Sequence, residues 1–173
     1  SDSLMSKSSN DNAKENIIVA VRCRPFNKRE LGLGSKRCLK LVQKSQEEEQ
    51  AKAIIWEHDE NDGKEFVFDH VYGEDSKQIQ VYEELGKPVL QNALNGFNGT
   101  IFAYGQTGSG KTHSMTGSLD DPGLIPQLNT MLFEEIGQLQ NEQHKFLVVC
   151  SYYEIYNEML YDLLGQGEAS GGG

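Results

Sequence analysis

The octapeptide Gly105-Gln106-Thr107-Gly108-Ser109-Gly110-Lys111-Thr112 constrains this chain more than any other stretch. Its pattern is a glycine, four free positions, a second glycine, a lysine and a hydroxyl residue. That is the pattern of a loop that wraps phosphate groups. Such a loop needs a strand before it and a helix after it. Thr100-Ile101-Phe102-Ala103-Tyr104 precedes it, an apolar run with β-branched and aromatic residues that predicts a buried strand. Gly110-Lys111-Thr112-His113-Ser114-Met115 follows without proline, so a helix is free to start there. A glycine-rich turn of no chemical consequence would need neither flank.

The residue types follow from the chemistry. Gly105, Gly108 and Gly110 allow backbone conformations closed to other residues. The main-chain N–H groups of Gln106, Thr107, Ser109 and their neighbours can then converge on phosphate oxygens, helped by the positive end of the following helix. Lys111 is expected to reach the β- and γ-phosphates as a point charge, and Thr112 to offer its hydroxyl to Mg²⁺. The expected ligands are ATP or ADP with Mg²⁺.

Charge and cysteine usage narrow the setting. The chain has 173 residues and a formal net charge of -10. The length suits one domain or a portion of a larger one. The acidic balance argues against nucleic acid as a partner, which calls for basic clusters. Cys23, Cys38 and Cys150 have neither metal nor redox spacing, which reads as reduced thiols in the cytoplasm or nucleus. No apolar run has the length of a membrane span and no signal-peptide core opens the chain, so direct membrane contact is not expected. His58, His70 and His144 show no metal-site spacing.

Along the chain, residues 1–15 are polar and predict a disordered arm. Ile17 to Val21 predicts a central strand that Arg22-Cys23-Arg24-Pro25 closes, and residues 26–36 a loop. Cys38 to Gln43, Ala53 to Trp56 and Glu65 to Phe68 predict short strands, with the charge run Gln46 to Gln50 at a solvated hairpin tip. A helix with apolar positions Ile79, Tyr82, Leu85, Val89, Leu90, Ala93 and Leu94 is expected, capped by Asp75 with Gln78 three residues on, and kinked at Pro88. The β-α-β order over residues 65–104 implies a parallel pair with a right-handed crossover. Leu128, Leu132, Ile136 and Leu139 predict a second long helix, followed by strands from Phe146 to Cys150 and Ser151 to Tyr156, and by a short apolar element from Met159 to Leu164. Residues 165–173 form a glycine-rich tail.

These blocks resemble the kinesin motor domain. Ile101 to Met115 looks like its phosphate-loop block. Gly96-Phe97-Asn98-Gly99-Thr100, Val19 to Phe26, Phe68-Asp69-His70-Val71-Tyr72, Gly123-Leu124-Ile125-Pro126 and Ser151 to Glu158 fit as well, in family order. Gly123 to Leu128 with Leu132-Phe133 leans toward the kinesin-3 type. The resemblance implies an α/β phosphate-loop NTPase fold with a mostly parallel central sheet flanked by helices. It implies that residues 16–164 are an N-terminal portion of a motor domain, apparently truncated.

The resemblance also implies site roles. The Arg-x-Arg-Pro segment borders adenine and ribose, which carries over to Arg22, Arg24 and Pro25, and the residue after the loop threonine packs on adenine, which carries over to His113. The implied activity is ATP hydrolysis coupled to movement on microtubules, in the cytoplasm and on the cytoskeleton. Two family switch segments, Asn-x-x-Ser-Ser-Arg and Asp-x-x-Gly, fall later in family order than the blocks matched here. The main microtubule contacts are also expected in that other half. An alternative expectation is therefore a non-catalytic nucleotide-binding or interaction fragment. An unrelated phosphate-loop kinase would need lid arginines after the loop, and residues 114–173 hold none.

Overall fold

The computed structural model of the chain describes residues 17–57, 60–141 and 143–165. The polar arm expected at 1–15, His58 and all of the glycine-rich tail but Gly165 lie outside the described residues. The chain divides into two units, Ser1–Asn129 and Thr130–Gly173.

In the first unit β1 (Ala20–Arg22) pairs in parallel with a strand far along the chain, β5 (His70–Tyr72), Ala20 opposite His70 and Arg22 opposite Tyr72. The Cys23 N–H extends this ladder by donating to the Tyr72 carbonyl at 2.8 Å. Pro25, which has no N–H, follows where the pairing stops. The expected strand from Ile17 is thus shorter than its apolar run, and Ile17 to Val19 are exposed.

Between these partners lie α1 (Lys28–Gly32) and an antiparallel sheet of β2 (Leu39–Val42), β3 (Ala51–Ile55) and β4 (Lys64–Phe68), in the order β2-β3-β4. Ala51 and Ala53 point from β3 into the core, two residues apart as the strand period requires. The charge run lies in the β2–β3 loop, where Lys52 reaches Glu48 at 3.1 Å and Glu65 at 3.5 Å. Residues 26–36, expected as a loop, contain α1. Asn27 accepts from the Glu30 N–H and Glu30 accepts from the Asn27 N–H, each at 2.9 Å, a capping box readable as Asn-x-x-Glu.

The predicted helix after β5 has three parts: α2 (Gln78–Val81), a π-helical turn (Tyr82–Gly86) and α3 (Lys87–Leu94). Pro88 explains the wide turn. It has no N–H to give the Glu84 carbonyl and its ring crowds that carbonyl, so the turn before it opens. Gly86 explains how the opened turn packs: a Cβ there would lie 3.0 Å from Tyr82 Cδ2 and 3.1 Å from Leu124 Cδ2. The expected cap at Asp75 is not formed. The N-cap is Lys77, without a side-chain bond, and Gln78 turns inward to 2% exposure. The core here comprises Val71, Tyr72, Val81, Tyr82, Leu90 and Leu124.

The run Thr100 to Tyr104 joins no ladder among the described residues. It alternates as a strand does, with Phe102 and Tyr104 exposed and their rings stacked at 6.5 Å, and Ile101 and Ala103 half-buried. The crossover expected over residues 65–104 therefore closes no parallel pair: β4 is antiparallel to β3, and the parallel ladder among the described residues is β1–β5. An apolar run records that a strand's two faces are to be covered, and says nothing of where its ladder partners come from.

After α4 (Lys111–Met115), α5 (Leu124–Leu139) forms with Pro126 in its first turn, where a missing N–H costs nothing. In the second unit β6 (Tyr153–Tyr156) and β7 (Met159–Asp162) make an antiparallel hairpin. Asn157 and Glu158 turn it with φ of 49° and 63°, the left-handed pair of a tight hairpin. Phe146 to Cys150, expected as a strand, has no ladder partner among the described residues.

Candidate nucleotide-binding site

The loop of residues 105–110 is folded back on itself by its glycines. Gly105, Gly108 and Gly110 have φ of 155°, 79° and 104°. Gly110 caps α4 in the left-handed region, which places the helix N-terminus at the end of the loop. A side chain at Gly105 would bring a Cβ within 2.4 Å of Ser109 Oγ, so the turn closes only around glycine. The Ser109 N–H donates to the Gln106 carbonyl at 3.1 Å. The N–H groups of Gly108 and Gly110 have no acceptor among the described residues. Lys111 folds over the loop and donates from Nζ to the carbonyls of Gly105 at 2.6 Å and Gln106 at 2.9 Å. Thr112 is exposed in the first turn of α4, whose opening N–H groups have no partner within the helix.

Arg24 fixes the loop from the side. Its Nε donates to the Gly108 carbonyl at 2.7 Å, and its two terminal nitrogens bind the Glu30 carboxylate at 2.8 and 2.5 Å. Glu30 is held in turn by its capping box. The Arg24 hydrogen bond, with the Asn27 N–H second, pulls the Glu30 carboxyl down to about 2, and the same bond raises the Arg24 guanidinium.

Arg22 is held on three sides. It donates to Gln78 Oε1 at 2.6 Å, Ser114 Oγ at 3.0 Å and the Ser76 carbonyl at 3.1 Å. Burial lowers its guanidinium from the ordinary arginine value, with Asp121 and Tyr72 offsetting part of that. Gln78 completes the connection by donating from Nε2 to the His113 carbonyl on α4. The side chain of His113 stays exposed.

These groups line one cleft of about 310 Å³, walled by Arg22, Arg24, Pro25, Ser109, Gly110 and His113, with Glu74, Asp75 and Asp121 among the acidic residues beside them. The end of β1 at Arg22 and the start of α4 at Lys111, 89 positions apart in sequence, thus come together. Gly105, Gln106, Thr107, Gly108, Lys111 and Thr112 do not line this cleft. Lys111 lines a larger cavity of about 360 Å³ whose other walls include Phe102, Val89 and Leu85. Arg22, Ser109, Gly110 and Ser114 line both spaces, so the two share a wall. Among the described residues no cluster of His, Cys, Asp and Glu is arranged to hold a metal.

Two contributors were not visible as such in the sequence. Glu30 carried a signal, the Asn27-x-x-Glu30 spacing, in a stretch read as loop. Gln78 carried only a misleading one, its capping-box distance from Asp75.

The kinesin motor domain family model matches residues 22–171. The chain is 41% identical over 164 residues to "Kinesin-like protein KIF13B" of Homo sapiens, covering 86% of this chain and 9% of that protein. It is 40% identical over 154 residues to "Centromere-associated protein E" of Homo sapiens, covering 86% of this chain and 5% of that protein. The chain therefore spans less than a tenth of the length of these two relatives. With a family match over most of its residues and relatives at 40% identity or more over 86% of its length, the chain belongs to the kinesin motor domain family.

Proposed function

We propose that this chain is the ATP-binding part of a motor that hydrolyses ATP to move along microtubules. One observation carries the reading: the glycine loop at the head of α4 opens beside the cleft that Arg22, Arg24, Pro25 and His113 line. Adenine and ribose would lie along Pro25 and His113, whose ring presents a flat face for stacking. The triphosphate would lie in the loop, against the free N–H groups of Gly108 and Gly110 and the α4 N-terminus. Lys111 would release its two loop carbonyls and turn to the β- and γ-phosphates, where its charge opposes the charge that builds during phosphoryl transfer.

The residues fit a magnesium nucleotide. The loop closes only on glycine, and Thr112 stands exposed where a hydroxyl ligand is needed. Mg²⁺, held through Thr112 and the nucleotide, would supply charge neutralisation between phosphates. Water positioning, γ-phosphate sensing and contact with the microtubule belong to other parts of a motor domain on this reading. A mostly parallel central sheet flanked by helices belongs to this reading, and so does a setting in the cytoplasm and on the cytoskeleton.

The test is steady-state ATP turnover by the full-length protein that contains this chain, with and without microtubules, beside Lys111→Ala. Turnover raised by microtubules and lost in the variant is the expected result. Turnover indifferent to microtubules would favour the fragment reading, and equal turnover in both proteins would remove Lys111 from the site.

A further inference from the structure

Gln78 is the one polar side chain among the buried core residues described, at 2% exposure. A buried amide must satisfy both ends. Its oxygen faces a guanidinium that can only donate and its nitrogen faces a carbonyl that can only accept. The amide orientation is thus fixed by its neighbours rather than by assignment. The two neighbours are the Arg22 side chain at the end of β1 and the His113 main chain in α4. Arg22 also reaches Ser114 directly, so β1 and α4 are tied by one bond of their own and by a second path through the Gln78 amide.

We infer that Gln78 is a positioning residue for the base side of the nucleotide cleft, a role that rests on the nucleotide reading above. Together with the direct Arg22–Ser114 bond it sets the distance between Arg22 and α4, and it alone fixes the His113 main chain against Arg22, beside Pro25. The phosphate side is held by other bonds: Lys111 to the carbonyls of Gly105 and Gln106, and Arg24 to the carbonyl of Gly108. Gln78 makes none of these. The two halves of the site are therefore separable by substitution.

Calorimetric titration with magnesium ATP and, separately, magnesium tripolyphosphate tests this. Gln78→Met keeps the length and removes both bonds; it is expected to weaken ATP binding about tenfold, the effect of roughly one lost bond, and to leave tripolyphosphate within about twofold. Gln78→Glu keeps the acceptor for Arg22 but sets a carboxylate oxygen against the His113 carbonyl. It falls between the wild type and Gln78→Met, and tests the role even if the methionine variant does not fold. Parallel weakening of both ligands, or no change in either, overturns the positioning role. Wild-type protein that binds tripolyphosphate as tightly as ATP overturns it too, while leaving the phosphate loop intact. Wild-type protein that binds neither ligand removes the nucleotide reading itself.

Discussion

Arg24 and Glu30 meet through two hydrogen bonds, and the same arginine holds the Gly108 carbonyl. One ion pair thereby ties α1 to the phosphate loop. Its pH dependence has a definite sign. The Glu30 carboxyl is lowered in the folded state from 4.5 to about 2, so its contribution is present above the unfolded value and disappears as pH falls toward about 2. The melting-temperature gap between wild type and Glu30→Gln should be constant near neutrality and narrow between pH 4.5 and about 2. A gap that keeps its size across that interval would show that the carboxylate is not held by Arg24 in solution. The residue scale is also where sequence reading was weakest. The loop residues were legible because their spacing is imposed by phosphate geometry. Gln78 was not, because the bonds that matter join it to residues 56 and 35 positions away.

At the scale of elements, α4 is wedged between the loop it carries and the turn that follows. A Cβ at Gly123 would lie 2.7 Å from the Met115 main-chain carbon and oxygen and 2.8 Å from the Ser114 carbonyl oxygen. These are backbone atoms and cannot rotate away. Gly123→Ala should destabilise by about 1–3 kcal/mol through overpacking. The same change at Gly137, inside α5 with nothing within 4 Å, should stabilise by roughly 0.5–1 kcal/mol through helix propensity. Urea unfolding of the two variants checks this: opposite shifts of the midpoint are expected, and equal shifts would contradict the packing of Gly123 against α4. Local patterns gave most elements. β2, β3 and β4 follow from short β-branched runs with charged turns, and α5 from its apolar stripe. The runs ending at Tyr104 and Cys150 were read as strands from apolarity and find no ladder partner among the described residues, because apolarity does not name the neighbours a ladder needs. Phe102 at 83%, Leu147 at 88% and Val149 at 82% exposure mark the faces that stay uncovered.

For the whole molecule, charge and apolar surface separate what this chain supplies from what the proposed motor needs. A net charge of -10 opposes approach to another acidic surface, such as that of tubulin, so track contact on this account belongs elsewhere in the motor. On the proposed function, what this chain supplies is the nucleotide cradle. The most direct measurement is the amide spectrum of the isotopically labelled chain during addition of magnesium ADP. The main-chain N–H resonances of residues 105–112 should move most, led by Gly108 and Gly110, whose N–H groups have no acceptor among the described residues. Saturating ADP that leaves those resonances in place, or moves a set elsewhere in the chain instead, would contradict it.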